Sequence, residues 1–161
     1  RSKDTKPEVL LRKLLFRKGF RFRLHGRNLP GTPDIVLPKF RTAIFVHGCF
    51  WHLHDCKKGS LPETRQEWWK NKLEKNRERD RKNFLLLNKM GWRVAVVWEC
   101  ALRKHGQESK EYIISELSLF FRSKDFLFLE IPSSTNTAYY LEPQEKENSA
   151  AAKELMAQIP K

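Results

Sequence analysis

An α/β domain with a central mixed β-sheet flanked by helices is what this sequence of 161 residues predicts. Three observations carry that expectation. Two apolar runs, Thr42-Ala43-Ile44-Phe45-Val46 and Trp92-Arg93-Val94-Ala95-Val96-Val97-Trp98, have the length and β-branched content of buried strands. A long helical pattern lies between them, and a helical crossover makes such strands parallel. A shorter run, Asp34-Ile35-Val36-Leu37-Pro38, is separated from the first by only a tight turn, which makes that pair antiparallel.

The totals suit one domain with a real core. Apolar residues make up 40% of the chain and aromatics 12%, a globular balance rather than a disordered one. Lys+Arg 32 against Asp+Glu 19 leaves a net charge of +13, which on a small domain favours a polyanionic partner. No apolar run reaches the roughly 18 residues of a spanning helix. No long helix sets a clean apolar face against a basic one, which argues against a membrane surface. No signal peptide is read, and a chain starting at Arg1 without methionine reads as trimmed.

Taken in order, Pro7 to Lys18 has the marks of a helix. Asp4 or Thr5 caps it, Pro7 suits its first turn, Gly19 ends it, and Leu10, Leu11, Leu14 and Leu15 form its apolar stripe. Glu8 lies on the first turn, one turn before Arg12, and reads as an exposed acid favoured by the helix dipole. Phe20 to Leu24 alternates apolar and basic residues as an edge strand does. Gly26 to Pro33 is a loop with two prolines and two glycines, and Pro38-Lys39-Phe40-Arg41 is the tight turn. Lys57 to Glu63 is a basic loop. Thr64 to about Lys89 is a long helix closed by Gly91, on which Trp69, Leu73, Asn76, Asp80, Phe84 and Leu87 share a face. Asn76 and Asp80 are polar within that stripe, so burying them costs free energy unless they are hydrogen-bonded. Lys70, Lys72, Lys75, Arg77, Arg79, Arg81 and Lys82 make the other faces basic. Glu108 to Arg122 is a second surface helix and Phe126 to Ile131 a final strand. Beyond Pro132 the composition turns polar, with a short helix at Ala150 to Ile159 in a poorly packed tail. No internal repeat is present.

The chemistry is concentrated where the first long strand ends. His47-Gly48-Cys49-Phe50-Trp51-His52-Leu53-His54-Asp55-Cys56 gathers histidines, cysteines and an aromatic pair at a strand end, the usual place for ligands in open α/β sheets. Cys49, His54 and Cys56 are soft ligands at chelating spacing. Cys100, at the end of the other long strand, completes a Cys3His set, the composition of a closed structural zinc site. Three cysteines cannot all pair, and their grouping with histidine points to metal in a reducing compartment over a disulfide. The plain alternative is buried free thiols packing as small hydrophobes. His47 and His52 remain, and a histidine outside the metal set can move protons. Asp34 follows a proline and starts the strand that pairs with the cluster strand. This layout resembles the PD-(D/E)xK nucleases, whose carboxylates bind Mg²⁺ beside a scissile phosphate. The second half of their motif is missing, with Phe45-Val46-His47 where an acid-x-lysine is expected.

Together, Leu29-Pro30-Gly31-Thr32-Pro33-Asp34, Ile44-Phe45-Val46-His47-Gly48-Cys49-Phe50-Trp51-His52, Asn76-Arg77-Glu78-Arg79-Asp80, Gly91-Trp92-Arg93-Val94 and Val97-Trp98-Glu99-Cys100 closely resemble the very-short-patch-repair (Vsr) DNA mismatch endonucleases. The resemblance covers roughly Glu8 to Arg103, with all blocks in order and spacing. It implies a restriction-endonuclease-like fold and an enzyme that nicks one strand 5′ to the thymine of a T:G mismatch. It implies that Asp34 ligates Mg²⁺ beside the backbone carbonyl of Val46, and that His52 is the general base. His47, Asp80 and Glu8 would hold waters of the metal or orient the site. Cys49, His54, Cys56 and Cys100 match structural zinc ligands. Phe50, Trp51 and Trp69 match aromatics that insert into the base stack, which unstacks most cheaply where pairing is already defective.

The implied partner is double-stranded DNA with a T:G mismatch, with mismatch-repair proteins as further partners. The implied setting is a monomer in the prokaryotic cytoplasm, associated with DNA. Residues 1–131 would be the endonuclease domain and 132–161 a polar C-terminal extension. Two departures stand out. Val46 occupies a position where threonine is familiar, but only its carbonyl is needed. The family's N-terminal minor-groove arm is expected to be missing, since this sequence begins just before Glu8, and DNA affinity would suffer. The alternatives are a restriction or homing endonuclease on the same fold, cutting both strands, and a zinc-stabilised DNA-binding module without catalysis. Retention of Asp34, His47, His52 and Asp80 speaks against the second, because binding alone needs none of them.

Overall fold

The computed structural model describes residues 3–103, 106–132 and 139–141. Its frame is an open mixed sheet of six strands in the order β1-β2-β3-β4-β5-β6. These are β1 (Arg23–Leu24), β2 (Ile35–Leu37), β3 (Thr42–His47), β4 (Arg93–Trp98), β5 (Phe128–Ile131) and β6 (Tyr139–Leu141). The helices are α1 (Lys6–Arg17), α2 (Gln66–Lys89), α3 (Glu99–Arg103) and α4 (Gln107–Arg122). As expected from the tight turn, β2 and β3 run antiparallel. β3 and β4 are parallel, with Thr42 beside Arg93 and His47 beside Trp98. β5 is parallel to β4, and β6 returns antiparallel along its edge.

Strand alternation gives the sheet two apolar faces. Ile35, Leu37, Ile44, Ala95, Val97, Leu129 and Ile131 pack with Leu11 and Leu15 of α1 and with α3 and α4. Ala43, Phe45, Val94, Val96, Trp98 and Phe128 face the other way, onto Phe84 and Leu87 of α2. His47 continues the second row at the end of β3, so strand geometry alone turns it toward α2.

The two glycine stops work as the sequence suggests. Gly19 (φ +83°) and Gly91 (φ +75°) take the left-handed conformation after α1 and α2. The residue after each bonds back: Phe20 N donates to Leu15 O at 3.1 Å, and Trp92 N to Leu87 O at 2.9 Å. Both are Schellman ends, where a Cβ would be strained.

Three elements differ from the sequence reading, while the tight turn at 38–41 forms as expected. The edge strand shrinks to Arg23–Leu24, because Phe20 is committed to the α1 stop and its ring packs 4.9 Å from Phe121. The turn at 38–40 closes as one 3-10 turn, with Arg41 left-handed at φ 49°. A five-residue helix, α3, follows β4 directly, so Cys100 sits on a helical turn rather than a strand end. Residues 139–141, in the stretch read as a polar extension, add β6 to the sheet. The short helix expected at 150–159 lies outside the described residues. No described helix is long and apolar enough to cross a membrane.

Arg93 opens β4 yet is buried. Its guanidinium donates to the carbonyls of Phe120 (2.6 Å), Phe121 (3.2 Å) and Ser123 at the end of α4, and of Phe40 (2.8 Å) in the turn. A cation at a helix C-terminus satisfies carbonyls that the helix leaves open.

Candidate active site

Two groups form at the C-terminal ends of β3 and β4. The first is the cysteine-rich one. The loop after β3 folds back so that His54 N reaches Cys49 O at 2.9 Å and Cys56 N reaches His54 O at 2.8 Å. Cys100 arrives on α3. The donor atoms of Cys49, His54, Cys56 and Cys100 all lie within 4.8 Å of one another. Cys100 Sγ and His54 Nδ1 are 3.4 Å apart, near the about 3.6 Å edge of a tetrahedron built from ordinary metal–sulfur and metal–nitrogen bonds. The donors crowd one another. Contact with the Cys100 thiol, then burial, pushes the Cys49 thiol far above its usual range. Burial pulls the His54 imidazole down, but Cys100 and Cys56 outweigh it and leave its pKa raised. A metal ion in the centre relieves this crowding by taking up the thiolates, so the set fits one.

The second group is His47, His52 and Asp80, brought together from β3, the loop after it and α2. Asp80 Oδ2 sits 2.5 Å from His52 Nδ1. The rings of His47 and His52 stack 3.7 Å apart, 9° from parallel. A metal must lie in the plane of each imidazole it bonds, and two stacked planes do not meet. As placed, the trio is a stacked histidine pair with Asp80 bonded to His52, rather than a chelate. His47 is enclosed by Phe45, Phe84 and Trp98 as well. Burial, then the charges on His52 and Arg79, holds its pKa well below the ordinary value, so the ring is neutral. Beside the trio is a cavity of about 30 Å³, also lined by Arg77, Trp98 and Glu130, room for about one water.

The polar residues in the apolar stripe of α2 are thereby explained. Asp80 binds His52, and Asn76 Nδ2 donates to Trp51 O at 3.2 Å. The same helix carries Trp69 to the aromatic pair: Phe50 lies 5.2 Å from both Trp51 and Trp69. Trp51 is 50% exposed, and the unpredicted Trp68 is 54% exposed. Lys72 Nζ stands over Trp68 and Trp69 at 4.7 and 5.2 Å. An exposed aromatic cluster with a cation among its rings suits the stacking faces of bases.

Asp34 stands one residue before β2, and its Oδ2 accepts the Val46 N–H at 2.8 Å. Burial, the largest cause, pushes its carboxyl up to about 6. The Val46 bond opposes that rise, and the charge of Glu8 adds to it. Glu8 itself is not the exposed acid of the sequence reading: it is 4% exposed. Thr5 Oγ1 donates to it at 2.7 Å and Arg12 Nη2 at 2.9 Å. The charge of Glu8 reaches Asp34, and Arg12 pairs with it across one turn of the helix. Arg12 and His25, whose charges also act on Asp34, were not foreseen. The i+4 spacing of Glu8 and Arg12 was the one available signal. Trp98, Arg77 and Glu130 around the histidines were missed as well.

Residues 1–58 match a family model described as DNA mismatch endonuclease Vsr. The type II nicking enzyme V.XorIIP of Xanthomonas oryzae pv. oryzae (strain KACC10331 / KXO85) is 55% identical over 66% of this chain and 78% of its own. The type II nicking enzyme V.NmeAIP of Neisseria meningitidis serogroup A / serotype 4A (strain DSM 15465 / Z2491) is 53% identical, over 63% and 73%. DNA mismatch endonuclease Vsr of Escherichia coli (strain K12) is 45% identical, over 72% and 74%. A site of this make-up in a chain with these relatives places the protein in a class: it is a DNA endonuclease. Within that class, it belongs to the Vsr DNA mismatch endonuclease family.

Proposed function

We propose that this protein is a Mg²⁺-dependent nickase of restriction-endonuclease type. It cuts one strand 5′ to the thymine of a T:G mismatch in duplex DNA, acting as a monomer. The carrying observation is His52 held by Asp80 at 2.5 Å, one residue beyond the exposed Trp51. That arrangement puts a proton acceptor next to an element suited to opening a defective base step. Relatives named as a mismatch endonuclease and as nicking enzymes support the reading.

Asp34 would hold Mg²⁺, with the carbonyl of Val46. A residue's N–H and C=O point to the same strand edge, and the Val46 N–H already points to Asp34. A buried carboxylate that accepts a backbone N–H suits a hard cation that takes oxygen ligands. Mg²⁺ supplies charge neutralisation at the phosphate and acidifies water there. The chain's own residues do the rest. The His52 Nδ1–H donates to Asp80, which leaves Nε2 free to take a proton from water. Neutral His47 stacks on His52 and fixes its plane. Glu8, clamped by Arg12, adds negative charge beside Asp34. Phe50, Trp51 and Trp69 would enter the stack at the mismatch, while the basic faces of α2 hold the backbone. The deciding experiment is a labelled T:G duplex and its T:A control, each with and without Mg²⁺. A nick confined to the thymine strand of the T:G duplex with Mg²⁺ is expected. Double-strand cleavage of both duplexes would point to a restriction-type enzyme instead.

The Cys/His cluster would hold structural zinc. About one zinc per chain is expected by metal analysis, and Cys56→Ser should leave the protein unfolded by circular dichroism, because closed sites contribute folding free energy directly. Active protein without zinc would overturn the assignment.

Binding should also weaken steeply with salt. If about four phosphates are neutralised, affinity falls on the order of a hundredfold between 50 and 200 mM salt. Fluorescence anisotropy of a labelled duplex measures this, and a flat response would exclude a phosphate-dominated interface.

A further inference from the structure

Behind the histidines stands a carboxylate with no part in the chemistry above. Phe128 of β5 faces α2, while Leu129 and Ile131 face the opposite core. Alternation therefore turns Glu130 toward α2, where it lines the same cavity as His47, His52 and Asp80. Its Oε1 accepts a hydrogen bond from Trp98 Nε1 at 2.5 Å. Burial pushes its carboxyl above the usual range, against that bond and the charges of His54 and Arg77. An acid here costs stability that an apolar side chain would not.

Trp98 is what the acid holds. The indole is 3% exposed. One face stacks on His54 of the metal cluster, at 4.2 Å and 17°. Its ring meets His47 edge-on at 5.4 Å and 73°, and His52 at 6.4 Å and 71°. One side chain thus touches a metal-cluster donor and both stacked histidines. Packing alone does not select which edge of an indole faces which neighbour. A hydrogen bond to the ring nitrogen does, because it exists in only one orientation.

We propose that Glu130 is a positioning residue: by holding Trp98 Nε1 it fixes the indole that sets the Cys/His cluster against the His47–His52 stack. The proposal rests on the reading of His52 as the general base. It makes the cluster more than a loop staple, since its geometry reaches the reacting histidine through one ring.

The test uses three variants of the full chain. Glu130→Gln keeps an oxygen acceptor, Glu130→Leu removes it, and Trp98→Phe removes the donor. Expected for Glu130→Leu and Trp98→Phe is a kcat on the T:G duplex lowered about 10- to 100-fold, the scale of a small misplacement at a reacting centre. KM, zinc content and circular dichroism should stay as in the parent, and Glu130→Gln should stay near the parent rate. The double variant Glu130→Leu/Trp98→Phe should be no worse than Trp98→Phe, as one shared bond requires. The ring-proton resonances of His47 and His52 read the geometry without turnover, and should move in Glu130→Leu but not in Glu130→Gln. If Glu130→Gln is as damaging as Glu130→Leu, charge toward Arg77 is what matters and the proposal falls. It falls equally if the histidine resonances stay put in Glu130→Leu, or if that variant loses zinc or its fold. If the resonances move and the rate does not, positioning stands and the role given to His52 fails.

Discussion

Asp34→Asn is expected to abolish nicking at every Mg²⁺ concentration and, at the same time, to make the Mg²⁺-free protein more stable at neutral pH. The first effect follows from the proposed role of Asp34 as the carboxylate that would hold the cation beside Val46. An amide carries no charge, and Mg²⁺ gives up its waters reluctantly. The second follows from the electrostatics of the unliganded site. Burial pushes the Asp34 carboxyl from 3.8 to about 6, so the folded chain binds this proton more tightly than the unfolded one. Stability contributed at this position is therefore present below about pH 4, falls between about 4 and 6, and is lost above 6. A rise of that size corresponds to roughly 3 kcal/mol of penalty for the ionised form. Asparagine retains an oxygen to accept the Val46 N–H and carries no such penalty. In a chain of this size a gain of that order raises Tm by up to about 10 °C. Thermal unfolding of both proteins without Mg²⁺, at pH 7.5 and pH 4, measures the difference. A variant no more stable than the parent at pH 7.5 would show that Asp34 carries no desolvation penalty, and would remove the reason to expect a cation there.

Such a residue shows why sequence exposes some parts of this molecule and hides others. Gly19 and Gly91 are legible because a helix end needs the left-handed conformation, a local demand that one residue type meets. β2, β3 and β4 are legible because both faces of those strands are covered, which leaves uninterrupted apolar runs. The Cys/His group is legible because three of its four donors lie within eight residues, Cys49 to Cys56. β6 is not legible: Tyr139–Leu141 is three residues in a polar context, and an edge strand needs only one good neighbour. Glu8 was misread because exposure of a first-turn acid depends on what packs against that turn. Trp98 and Glu130 were out of reach for a further reason. Their bond joins β4 to β5 across the sheet, and it depends on a register that places Val96 beside Glu130. Only the folded sheet sets that register. What sequence conveys well is the side chains that gather in the two groups at the strand ends. What it conveys poorly is the side chains that hold them in place.

His52→Ala should reduce nicking by roughly 10²–10⁴-fold, the usual range for loss of a general base, while binding of the mismatch and zinc content stay as in the parent. The argument rests on geometry. The bond to Asp80 uses Nδ1, so a neutral His52 carries its proton there and presents a lone pair at Nε2. The stack with His47 holds the imidazole plane, and burial keeps His47 neutral and unable to repel a proton arriving on its neighbour. No lysine stands in the position where an acid-x-lysine is expected, so the proposed mechanism assigns deprotonation of the attacking water to His52. Asp80→Asn should be milder than His52→Ala, since an amide can still face Nδ1, though it can accept or donate there and no longer selects one tautomer. Single-turnover nicking of a labelled T:G duplex at saturating enzyme separates chemistry from binding. Anisotropy with the same duplex gives Kd. Were His52→Ala to nick at the parent rate, the base would lie elsewhere, and His47→Ala, on the opposite face of the stack, becomes the variant that decides.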